Sequence, residues 1–101
     1  GEPKNLDENF SNKKWAKDLN NVIIELNRYL KENHLIKPEK IKDYYLNQLK
    51  TNNIKIGIGM QALRLCIIGK ISGPDLFIII EILGNSKINK RISKTLDKIN
   101  D

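Results

Sequence analysis

The stretch Ser72-Gly73-Pro74-Asp75-Leu76-Phe77-Ile78-Ile79-Ile80-Glu81-Ile82-Leu83-Gly84 carries an apolar run, Leu76 to Ile80, with no polar side. Such a run is either a strand or a helix buried on most sides. Its flanks favour a helix. Pro74 suits a first helical turn, Ser72 or Gly73 can cap it, and Leu83-Gly84 is a stop signal. The pattern therefore predicts a buried helix from near Pro74 to just before Gly84.

The flanking sequence extends the helical reading. A helix from about Gly59 to Ile68, stopped by Gly69, precedes this one. After it, Asn85 or Ser86 can cap a helix running to about Ile99. There Ile88, Ile92, Thr95, Leu96 and Ile99 face inward, while Lys87, Lys90, Arg91, Lys94 and Lys98 crowd the remaining surface. Further upstream, Ile54-Lys55-Ile56 alternates like a strand but is too short to pair alone, and reads as an extended connector. Pro38 opens a helix to about Lys50, with Ile41, Tyr45 and Leu49 at four-residue steps, and Thr51-Asn52-Asn53 breaks the pattern. Ser11 can cap a first helix from about Asn12 to Asn33. Its stripe of Trp15, Leu19, Val22, Ile23, Leu26, Tyr29 and Leu30 repeats every 3.6 residues, off which lie Lys13, Lys14, Lys17, Asn20 and Arg28. Residues 1–10 are polar and read as a linker, leaving 11–101 as one domain. The expected fold is all-α, a compact monomeric bundle of about five helices.

Composition agrees with a small globular domain. The chain has 101 residues, 40% of them hydrophobic and 30% charged. Lys+Arg 18 against Asp+Glu 12 gives a net charge of +6, which favours nucleic acid or an acidic membrane surface as partner. Lys, Asn and Ile are all abundant, so AT-rich coding accounts for the charge equally well. Cys66 is the single cysteine, which excludes an internal disulfide and a cysteine-rich zinc site and suits a reducing cytoplasm. No stretch approaches the roughly twenty apolar residues that span a bilayer. The start, Gly1-Glu2-Pro3-Lys4, has no signal-peptide apolar region and no initiating Met, and reads as the beginning of an excised piece.

No catalytic set is visible. His34 lies between two helices, where a cap or a solvated loop position accounts for it better than a general base without a partner. Cys66 falls in an apolar helix and reads as a small core residue. Gly57-Ile58-Gly59 lacks the rest of a dinucleotide loop, and Gly69-Lys70 with Ser72 lacks the upstream glycine of a phosphate-binding loop. Two features remain open to function. Arg64 stands among apolar residues, where it can serve a structural ion pair, hydrogen-bond carbonyls, or present its planar fork to a phosphate or base edge. The helix entrance Ser72-Gly73-Pro74-Asp75-Leu76-Phe77 can offer unpaired amides and stack a base on Phe77, or simply be a capped start with Leu76 and Phe77 in the core.

These features lie within a longer pattern. Met60-Gln61-Ala62-Leu63-Arg64-Leu65-Cys66-Ile67-Ile68-Gly69, then Ser72-Gly73-Pro74-Asp75-Leu76-Phe77, Leu83-Gly84 and Arg91-Ile92, is similar to the C-terminal stretch of bacterial glutamyl-tRNA synthetases. The similarity covers about residues 55–99. Ala62 stands where that family usually has Pro, which lets the third helix start earlier, and Ile78 stands where Glu is usual. The resemblance implies an all-helical anticodon-binding domain in which Arg64, Gly73, Pro74, Leu76 and Phe77 contact anticodon nucleotides. Lys87, Lys90, Lys94 and Lys98 would add phosphate contacts without sequence information. It implies a cytoplasmic parent enzyme that ligates glutamate to tRNA(Glu), and in some members tRNA(Gln). ATP and Mg would bind in a catalytic domain whose signature motifs this sequence lacks. This chain by itself would then hold no cofactor or metal and catalyse nothing. Two other classes compete: a helical protein–protein interaction module, and a non-specific nucleic-acid binder.

Overall fold

In the computed structural model, residues 15–33 and 36–100 are described, and among them all regular structure is helical. The five helices are α1 (Lys17–Glu32), α2 (Pro38–Thr51), α3 (Ile56–Ile68), α4 (Leu76–Leu83) and α5 (Asn85–Ile99). The all-α expectation holds. Residues 1–10, the proposed Ser11 cap and His34 lie outside the described residues.

α1 buries Leu19, Val22, Ile23, Leu26 and Leu30, the inner part of the expected stripe. It starts at Lys17 rather than near Asn12. Ala16 is extended at its N-cap, and the Trp15 indole N–H donates to Asn20 Oδ1 at 2.9 Å. α2 begins at Pro38 as its fixed φ allows, and buries Ile41, Tyr45 and Leu49. The parallel rings of Tyr29 and Tyr44, centroids 3.9 Å apart, join α1 to α2.

α3 begins at Ile56, earlier than the glycines suggested, so only Ile54 and Lys55 remain as connector. Packing overrides propensity here. A side chain on Gly59 would lie 2.3 Å from Leu49 Cδ1, so only glycine lets α3 approach α2 this closely. The buried Tyr45 hydroxyl then donates to the Gly59 carbonyl. α3 ends at Gly69, whose amide bonds back to Leu65 O at 3.0 Å. From α5, Arg91 Nη1 donates to Ile67 O at 2.6 Å, placing a cation where the α3 dipole is negative.

α4 is helical, as its flanks required, but it starts at Leu76 rather than Pro74. Asp75, not Ser72 or Gly73, is its N-cap. Nor is it buried all round. Leu76, Phe77 and Ile80 enter the core, while Ile78 is 56% and Ile82 76% exposed. Among the described helices this eight-residue element packs mainly against α2 and α5, which leaves its outer face uncovered by them. α5 follows after Gly84 alone and buries Ile88, Ile92 and Leu96, with Thr95 and Ile99 half-buried. It packs against α1, α3 and α4 and so closes the bundle. Along its seam with α1, Asn89 Nδ2 donates to Asn27 O and Oδ1, and Asn27 Nδ2 to Ser93 Oγ. No helix among the described residues is long and apolar enough to cross a membrane.

Candidate nucleic-acid interface

The loop between α3 and α4 organises the site. Only a short loop separates α3 from α4 in the chain. They pack little against each other; α4 lies on α2 and α5 instead. Arg64 nevertheless reaches the α4 entrance, because its Nη1 donates to the carbonyl of Pro74. Gly73 passes directly beneath the guanidinium: a Cβ there would sit 3.9 Å from Arg64 Nη1. Gly73 has φ +150°, which a side chain rarely tolerates. Arg64 therefore does what one of its structural alternatives proposed, bonding a carbonyl. One of its five donors is used that way, and no ion pair engages it among the described residues.

Two amides of the first α4 turn are capped from within. Asp75 Oδ1 accepts from Phe77 N at 2.9 Å and from Ile78 N at 3.4 Å, so these amides are satisfied internally. The loop consequently presents a carboxylate, the Pro74 carbonyl and the Arg64 fork at its exposed surface. Such a mixed set of acceptors and donors matches a base edge better than a bare phosphate. Asp75 was legible as a cap, since Asp is among the preferred N-cap residues; the adjacent proline drew the expected start two residues too early.

Leu76 and Phe77 divide from the other loop residues. Gly73 and Pro74 are exposed, but Leu76 is buried and the Phe77 ring is only 9% exposed. Phe77 is thus a core residue, and its ring face is occupied by Lys42 from α2, Nζ 5.8 Å from the centroid. The sequence offered no sign of Lys42, which enters only through the packing of α2 on α4.

Lys87, Lys90, Lys94 and Lys98 are all exposed on the outer face of α5. The ion pairs among the described residues are those of Arg28 with Glu25 and Glu32 on α1, and none of them engages the α5 lysines. No hydrogen bond or ion pair among the described residues links them to the 73–77 segment. Arg91 is engaged at the end of α3 and is not part of that face. Cys66 is buried, and burial pushes its thiol up to about 12, so it is inert core as expected. Among the described residues no group of three or more His, Cys, Asp or Glu could hold a metal ion.

The family model described as "Anticodon binding domain" matches residues 2–96. This chain belongs to the anticodon binding domain family. Three glutamate–tRNA ligases illustrate the similarity. That of Christiangramia forsetii is 32% identical over 97 residues, covering 96% of this chain and 19% of the relative. That of Cytophaga hutchinsonii is 35% identical over 98 residues, covering 93% and 18%. That of Porphyromonas gingivalis W83 is 30% identical over 95 residues, covering 94% and 19%. The anticodon binding domain thus spans about a fifth of the length of the curated relatives it matches. No solved structure matches the chain. Membership agrees with the all-helical bundle.

Proposed function

We propose that this domain docks the anticodon arm of tRNA for a glutamate–tRNA ligase, with Arg64 and the Gly73–Asp75 loop reading a base edge. The convergence of Arg64 on Pro74 carries the reading. It sets a planar donor fork beside two acceptors on an exposed loop, while the bundle beneath holds them still. Unstacked anticodon bases expose the edges that such a set can bond. Leu76 and Phe77 support the loop from inside the core. The lysines of α5 add phosphate attraction, which grows weaker as salt displaces it. The parent chemistry, attachment of glutamate to tRNA(Glu) and in some relatives tRNA(Gln), with ATP and Mg, belongs to a catalytic domain. The domain itself is inactive, and works as a monomer in the cytoplasm.

Direct titration tests this. The chain is titrated with an RNA hairpin whose loop carries the glutamate anticodon UUC, and with hairpins of the same stem and unrelated loops, at several salt concentrations. Salt-sensitive binding that prefers the UUC loop is expected. Equal affinity for every loop would make the domain a non-specific binder. Absence of RNA binding at low salt would leave a protein–protein module as the better account.

A further inference from the structure

Three elements meet at the α4 entrance: α3 through Arg64, the loop through Gly73 to Asp75, and α2 through Lys42. Lys42 is exposed, and no acidic side chain pairs with it among the described residues. Its Nζ lies 5.8 Å from the centre of the Phe77 ring, a side chain that is otherwise 9% exposed. The ring's negative face attracts the ammonium and narrows its motion. A lysine held this way loses less freedom on meeting an anion than one free in water. The arrangement also keeps a base from stacking on Phe77 while Lys42 is in place.

We propose that Lys42 is an RNA-phosphate contact of this site, gripping the backbone beside the nucleotide whose base edge meets Arg64. The inference rests on the RNA-docking function. It divides the work within the loop: Arg64, Pro74 and Asp75 face a base, and Lys42 supplies point charge to the sugar-phosphate chain. Phe77 then acts through Lys42, by holding the ammonium at the edge of the loop.

The experiment compares the parent chain with Lys42→Gln and Lys42→Arg, using the UUC hairpin and a scrambled-loop hairpin across a salt series. Circular dichroism melting first establishes that each variant folds. For Lys42→Gln we expect roughly three- to tenfold weaker binding to both hairpins alike, as befits a phosphate contact. The slope of log affinity against log salt should become shallower by about 0.7–0.9, the share of one phosphate. Lys42→Arg should keep the slope. A folded Lys42→Gln with the parent's affinity and slope overturns the inference, because Lys42 then does no more than cover Phe77. So does a loss confined to the UUC hairpin, which would make Lys42 a base reader. If the parent chain binds neither hairpin, the docking function itself fails, which is a different result from a binding parent and an unchanged variant.

Discussion

Arg64 donates to the carbonyl of Pro74 across the α3–α4 loop, so one side chain both ties that loop down and faces outward from it. Arg64→Ala should lower affinity for the UUC hairpin by on the order of 1–3 kcal/mol and flatten its preference over unrelated loops. Lys94→Ala, on the outer face of α5, should weaken all hairpins equally. Filter-binding titrations of folded variants check both. Unchanged discrimination in Arg64→Ala would assign this arginine to loop structure alone.

Phe77 provides a contrast between core and surface roles. Because its ring is buried, Phe77→Ala should destabilise the fold by about 3–5 kcal/mol, enough to unfold a domain of this size. Phe77→Leu keeps most of the volume and should cost less than about 1.5 kcal/mol. Urea denaturation followed by circular dichroism distinguishes the two. A well-folded Phe77→Ala of parental stability would contradict the burial.

Gly59 is held to glycine by Leu49. Gly59→Ala forces a methyl group into the space of a buried leucine and should cost roughly 1–3 kcal/mol, despite alanine's better helix propensity. Gly57, with open space around it, should instead gain stability when changed to Ala. Thermal melts of the two variants should move in opposite directions.

Cys66 makes stability depend on alkaline pH. Its folded pKa, about 12, lies above the ordinary value of 9.0, so the folded state keeps the proton longer than the unfolded chain. The contribution is complete below pH 9.0 and declines as pH rises from there to about 12. The slope from this one group is at most about 1.4 kcal/mol per pH unit. Buried Tyr45, whose phenol burial also raises, adds to the same decline. Urea midpoints between pH 8 and 11 should fall steadily, and Cys66→Ala should fall less steeply. Parallel curves would show that Cys66 plays no part.

Apolar periodicity together with proline and glycine boundary signals was enough to specify five helices and most of their inward residues, because burying an apolar stripe leaves a 3.6-residue signature in the sequence itself. Ile41, Tyr45 and Leu49, or Ile88, Ile92 and Leu96, could face the core in no other register. The run of residues around Arg64 and Pro74 likewise singled out the loop where the structure brings these two residues together. The sequence could not show which surfaces would meet. Gly59 looked like a helix boundary until Leu49, on another helix, filled the space beside it. Phe77 read as core from the residues and as a base contact from the resemblance, and the docking of α4 on α2 and α5 buried it. Lys42 joined the loop through the same docking, and Ile78 and Ile82 were left exposed because none of the described helices covers that side of α4. Helical periodicity is a property of residues a turn apart, whereas burial and approach depend on partners far along the chain, and only tertiary packing brings those together.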